Sequence, residues 1–140
     1  MLAWRAVEKS LSASRNYWLS TTRPNGRPHA MPIWGLWLDG MFYFATDPTS
    51  RKGRNLAANP HAVVHLESGD NVAILEGTVG VVKRAALLRR FADAYEAKYD
   101  FRPDVSDPSA TVYRLRPEVA FAWGEKDFPS SATRWTFEYE

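Results

Sequence analysis

The chain has 140 residues, 45% of them hydrophobic and 24% charged, which is enough for one globular domain with a core of its own. Eighteen basic against sixteen acidic residues leave a net charge of +2, too balanced for a protein that holds nucleic acid by bulk electrostatics. Cysteine is absent, which excludes disulfides, thiolate metal sites and cysteine nucleophiles. No stretch approaches the roughly 20 apolar residues of a membrane-spanning helix. The N-terminus lacks the pattern of a signal peptide, so a cytoplasmic protein is expected.

Residues 3–13 place Trp4, Val7 and Leu11 at helical spacing and predict a short helix. Three strand-like segments follow, 16–22, 29–38 and 41–46. They are separated by Asn25-Gly26 and Asp39-Gly40, dipeptides that tolerate positive φ and favour tight turns. A three-stranded meander is expected, with Pro32 marking an edge or a bulge because it has no N–H to donate. A helix is expected from about Ser50 to Asn59, capped by Thr49 or Ser50 and stopped by Pro60. Segments 62–67 and 72–82 form a second hairpin around Ser68–Asn71. Residues 84–99 are the clearest helix, with Leu87, Phe91 and Tyr95 on one stripe, widened by Leu88 and Tyr99. After a Pro- and Asp-rich loop come three more strands, 111–117, 119–124 and 133–139, with a weakly ordered connection at 125–132. About eight strands joined mostly by hairpins, with two or three helices and no regular βαβ units, predict a single α+β domain over 1–140. It is mainly β, an antiparallel barrel with inserted helices.

The chemistry-bearing residues are sparse. His61 and His65 share one face of a strand but lie about 13 Å apart there, too far for one ion, so no metal centre is expected. His29 suits either a polar strand position or a cofactor contact. None of the serines lies in a G-x-S-x-G elbow, and neither G-x-G-x-x-G nor a Walker pattern occurs. What stands out is Thr46–Leu56, where Arg51, Lys52 and Arg54 fall within four positions and no acid follows Asp47 until Glu67. Hydroxyls at Thr46, Thr49 and Ser50, a helix start and clustered cations are compatible parts of an anion site. A solvated basic helix face would need only the cations. Six tryptophans in so short a chain call for a large subunit interface, a flat-ring ligand, or both.

The order and spacing of 16–34, 41–67, 74–82, 87–101 and 131–135 resemble the pyridoxamine 5′-phosphate oxidase-like superfamily of split β-barrel flavin and deazaflavin proteins. The resemblance implies a homodimer with two cofactor sites at its interface and FMN or coenzyme F420 as cofactor. It implies that Ala30, Met31, Pro32, Ile33 and Trp34 line the ring. Thr46, Ser50, Arg51, Lys52, Arg54 and Asn55 would hold the phosphate, and Arg134 and Trp135 would reach the cofactor from the partner chain. It points to the short branch, whose members bind FMN or F420, since the full set of residues that binds pyridoxal phosphate has no match here. For F420, a basic groove would be completed by Lys52 and Arg54 with Arg5 or Lys9. The implied activity is hydride transfer between the cofactor ring and a small conjugated organic substrate. Trp34, Trp37 and Trp123 would shape the acceptor pocket, with core or interface packing as the equal alternative for Trp37, and no side chain is assigned as a catalytic acid. A carrier or sensor that binds the cofactor without turnover is the alternative.

Overall fold

The computed structural model describes residues 2–139. Helix α1 (Trp4–Ala13) leads into β1 (Tyr17–Thr22), β2 (Pro28–Ile33), β3 (Leu36–Leu38) and β4 (Met41–Thr46). Helix α2 (Arg51–Ala58) precedes β5 (His61–Leu66) and β6 (Asn71–Val81). Helix α3 (Ala85–Tyr99), a 3-10 turn (Pro108–Ala110), β7 (Thr111–Gly124), α4 (Phe128–Ser131) and β8 (Thr133–Thr136) complete the chain. All strand pairings are antiparallel and run in the order β2-β1-β5-β6-β7-β4-β3, with β8 added to β7. The sheet curls into the expected split β-barrel. Among the described residues there are four α-helices rather than two or three, because the connection at 125–132 winds into the short α4.

The expected meander is corrected in its middle strand. Segment 29–38 is two strands: β2 pairs with β1 on one edge of the sheet, and β3 pairs with β4 on the other. The break falls at Gly35, whose backbone is claimed by α3. Its N–H donates to Tyr99 Oη at 3.0 Å, and its carbonyl accepts from Lys98 Nζ at 3.0 Å. A Cβ at Gly35 would lie 2.2 Å from the Phe42 ring, so only glycine lets the chain pass there. Asp39 and Gly40, at φ 51° and 78°, make the turn from β3 to β4 as expected. Pro32 does lie on an edge strand.

A second correction concerns 111–117 and 119–124, which form one strand, β7, of 14 residues. Pro117 is tolerated inside it because β7 changes neighbours there: Thr111–Leu115 pair with β4 and Val119–Ala122 with β8. The register against β6 shifts at Glu76/Gly77, so Glu118 has no partner residue in that ladder. A Cβ on Gly77 would lie 2.1 Å from the Arg116 carbonyl oxygen, which is why glycine occupies the facing position.

Two apolar clusters hold the barrel together. The first contains Leu11, Tyr17, Leu19, Phe42, Phe44, Leu56, Val64, Leu75 and Leu115. The second places Phe91 and Tyr99 of α3 against Leu36, Tyr43, Val82 and Val112. Strand β4 serves both, since alternate side chains leave opposite faces of the sheet. Trp37 is core: it is buried, edge-on to Trp4, and its indole N–H donates to Glu8 Oε2 at 3.0 Å.

Candidate functional site

The cation-rich segment is a preorganised helix start. Ser50 is the N-cap of α2; its Oγ accepts the Gly53 N–H at 3.1 Å and donates to the Asp47 carbonyl at 2.6 Å. Thr46, at the end of β4, brings its hydroxyl to 3.3 Å from Ser50 Oγ. Asp47 is folded back on Thr49, taking its N–H and its hydroxyl at 2.8 Å each. Those bonds hold the Asp47 carboxyl below its ordinary range. The carboxylate therefore stays ionised, with its hydrogen bonds directed to the turn. Among the described residues no ion pair involves Arg51, Lys52 or Arg54. Lys52 is half-buried, and burial lowers its amine from the usual lysine range.

Asn55 explains how α2 is seated. It is fully buried; its amide N–H donates to Thr21 Oγ1 at 3.0 Å, and Arg51 Nη1 approaches its Oδ1 at 3.4 Å. Thr21 sits opposite His29 across the β1–β2 ladder. Cross-strand partners project to the same side of a sheet, so His29 faces the side that α2 covers. His29 Nδ1 is buried and has no hydrogen-bond partner among the described residues. Burial, then the charges of Arg23, Lys52 and Arg51, keep its imidazole below the ordinary histidine range. Thr46, Ser50, Arg51, Lys52 and Asn55 therefore gather at one end of the barrel with Thr21, Arg23 and His29. Arg54 is an exposed residue of the same helix. Thr21 and Arg23 were not expected at this site: Thr21 meets α2 only through its bond to Asn55, and the charge of Arg23 meets those of α2 only at His29.

The same face continues along β2. Met31 and Ile33 lie opposite the buried Leu19 and Tyr17. Ile33 packs on the core, but Met31 is 41% exposed because β2 is a sheet edge. Ala30 and Pro32, on the opposite face, are exposed as well. Trp34 is 37% exposed and turns toward α3. Its ring is parallel to Tyr99 with centroids 4.4 Å apart, its N–H donates to Asn16 Oδ1 at 3.1 Å, and the Arg15 guanidinium lies 4.9 Å from it. Arg134 and Trp135 are elsewhere in the chain. They lie on β8, with β7, β6, β5 and β1 between them and β2 along the sheet. Trp135 packs on Trp4 with centroids 5.1 Å apart, and Trp123 meets Phe128 edge-on.

An apolar edge that ends in cations and a helix N-terminus suits an amphiphilic ligand with a flat body and an anionic end. An antiparallel sheet curled in this way, with helices inserted between its strands, defines a split β-barrel protein. The chain belongs to the pyridoxamine 5′-phosphate oxidase family, whose model matches residues 3–124. Among curated proteins the sequence finds no match.

Solved structures repeat the fold at low identity. A conserved hypothetical protein of Mycobacterium tuberculosis aligns with a TM-score of 0.76 at 22% identity, over 90% of this chain and 87% of that one. An F420 reductase aligns at 0.61 and 24%, over 80% and 94%. A heme-binding protein of Mycobacterium smegmatis aligns at 0.76 and 20%, over 97% and 59%. The fold thus carries more than one kind of cofactor chemistry, and function has to be argued from the site.

Proposed function

We propose that the protein is an FMN- or F420-dependent oxidoreductase that works as a homodimer, with the cofactor phosphate at the start of α2 and its ring along β2. The observation that carries this reading is the cationic end formed by Arg51, Lys52 and Arg54, which make no ion pair among the described residues, beside the exposed edge of β2. An arginine grips a phosphate through two N–H donors, while a lysine acts as a point charge. The N–H groups of the first turn of α2 have no helical acceptor and add a fixed positive field.

The bound cofactor would supply hydride chemistry, which the side chains alone do not offer. The ring would lie along the β2 edge, bordered by Met31 and Ile33 on one face of the strand and by Ala30 and Pro32 on the other. Trp34, held by Tyr99 and Asn16, would close the end nearest α3. The substrate class is a small conjugated organic molecule able to lie flat against such a surface, with solvent as the proton source. Arg134 and Trp135 would come from the second subunit, since their own chain places them across the sheet from β2. Among the described residues no helix is long and apolar enough to cross a membrane, in keeping with a cytoplasmic enzyme.

The test is reconstitution with FMN and with F420, followed by mass spectrometry of whatever is released on denaturation. The reduced holoprotein is then mixed with quinone-like and enone-like acceptors. Faster reoxidation than that of free cofactor supports the enzyme. Retained cofactor without acceleration leaves a carrier or sensor, and retention of neither cofactor sinks the reading.

A further inference from the structure

We propose that His29 is a proton-coupled member of the anion site: a phosphate-class oxyanion that docks beside Arg23, Arg51 and Lys52 draws a proton onto the His29 imidazole. The inference rests on the anion-site reading above and adds to it a residue and a pH dependence. Its footing is geometric. The Asn55–Thr21 hydrogen bond fixes α2 over β1, and the Thr21–His29 register turns the imidazole to the same side. There, Nδ1 is buried without a partner among the described residues, a condition folded proteins seldom leave without a reason. The charges acting on it are Arg23 from the β1–β2 connection and Lys52 and Arg51 from α2, with no acid among them.

In the free protein these cations and burial disfavour imidazolium. An oxyanion offsets the three positive charges and can accept an N–H bond from the ring, so imidazolium becomes the better state. Binding therefore takes up a proton. Affinity rises as pH falls from the His29 pKa of the complex toward that of the free protein, and levels off below it.

The chain has three histidines, so imidazole resonances can be followed singly by NMR from about pH 5 to about pH 8.5. The probe is sodium sulfate against sodium chloride at matched ionic strength, because sulfate does not titrate in that window. In sulfate the His29 midpoint should rise by about one unit, a roughly tenfold linkage to binding. His29→Gln should still bind sulfate, with the pH dependence gone. The inference is overturned if sulfate moves the Arg51 and Lys52 resonances but leaves the His29 midpoint in place, or if His29→Gln keeps the pH dependence; the anion site then stands without it. Sulfate that moves none of these groups overturns the anion-site reading and the inference together.

Discussion

At the β6–β7 seam each awkward residue is answered within the chain, whereas at the end built from β2 and α2 several are not. Pro117 cannot donate to a ladder, and β7 changes neighbours at that point. Glu118 falls out of register, yet its carboxylate accepts from Thr78 at 3.2 Å and its carbonyl accepts the Phe137 N–H at 3.0 Å. Gly77 leaves room for the Arg116 carbonyl. At the other end, among the described residues, three cations of α2 lack ion pairs, His29 Nδ1 lacks a partner and Met31 stands exposed. Local rules are broken in both places. Where the chain compensates, the irregularity serves the fold; where it does not, the compensation is left to a ligand or a second subunit.

That contrast can be broken at the seam first. Gly77→Ala should cost about 3 kcal/mol of stability, because the added methyl meets backbone rather than a side chain that could rotate away. Chemical denaturation measures it, and a loss below about 1 kcal/mol would show that the seam is not tightly fitted.

Asn55 joins the two regions. Asn55→Ala should destabilise the fold by about 2 kcal/mol, since it removes a buried amide that ties α2 to β1. It should also weaken anion binding by displacing α2. Unchanged stability with weakened binding would make Asn55 a direct ligand contact instead.

Lys52→Ala should leave the unfolding midpoint nearly unchanged and weaken FMN or F420 binding by about 2 kcal/mol, the contribution of a hydrogen bond to a charged group. Isothermal titration reads it. Binding as tight as in the parent would break the assignment of α2.

The smallest effect concerns Lys98, whose amine is lowered to about 8 by burial and by Arg15. It donates to Tyr17 Oη at 2.7 Å and to the Gly35 carbonyl. The lowered value means the folded chain binds fewer protons than the unfolded one between about pH 8 and the unperturbed lysine value near 10.4. Stability should therefore rise with pH across that window, modestly because the group is partly exposed to screening solvent. Lys98→Met should remove the rise, and thermal melts across the window would reveal a slope that persists.

Sequence periodicity marked α1 and α3, whose stripes bury Val7 and Leu11, and Phe91 and Tyr99, whereas α2, with Leu56 as its buried apolar side chain, was marked by its cap and by Pro60. The Ser50 cap, the cation cluster and the tight turn at Asp39-Gly40 were equally legible, since each depends on neighbours within a few positions. About eight strands were expected and eight are present among the described residues, but the partition differs, and two discrepancies offset each other. One expected strand splits at Gly35 and two expected strands merge through Pro117.

Both outcomes were decided by distant groups. Lys98 and Tyr99 capture the Gly35 backbone from α3, and β4 and β8 share β7 on either side of Pro117. The candidate site divides in the same way. Thr46, Ser50, Arg51 and Lys52 were readable because they lie in one turn and its approach. Arg23 was not, and His29 read either as a polar strand residue or as a cofactor contact, because only the β1–β2 register and the Asn55–Thr21 bond set it on the side of α2. The sequence alone determined which elements form, through short-range periodicity and capping. The tertiary structure decided which strands continue and which charges meet, because those depend on hydrogen bonds between residues far apart in the chain.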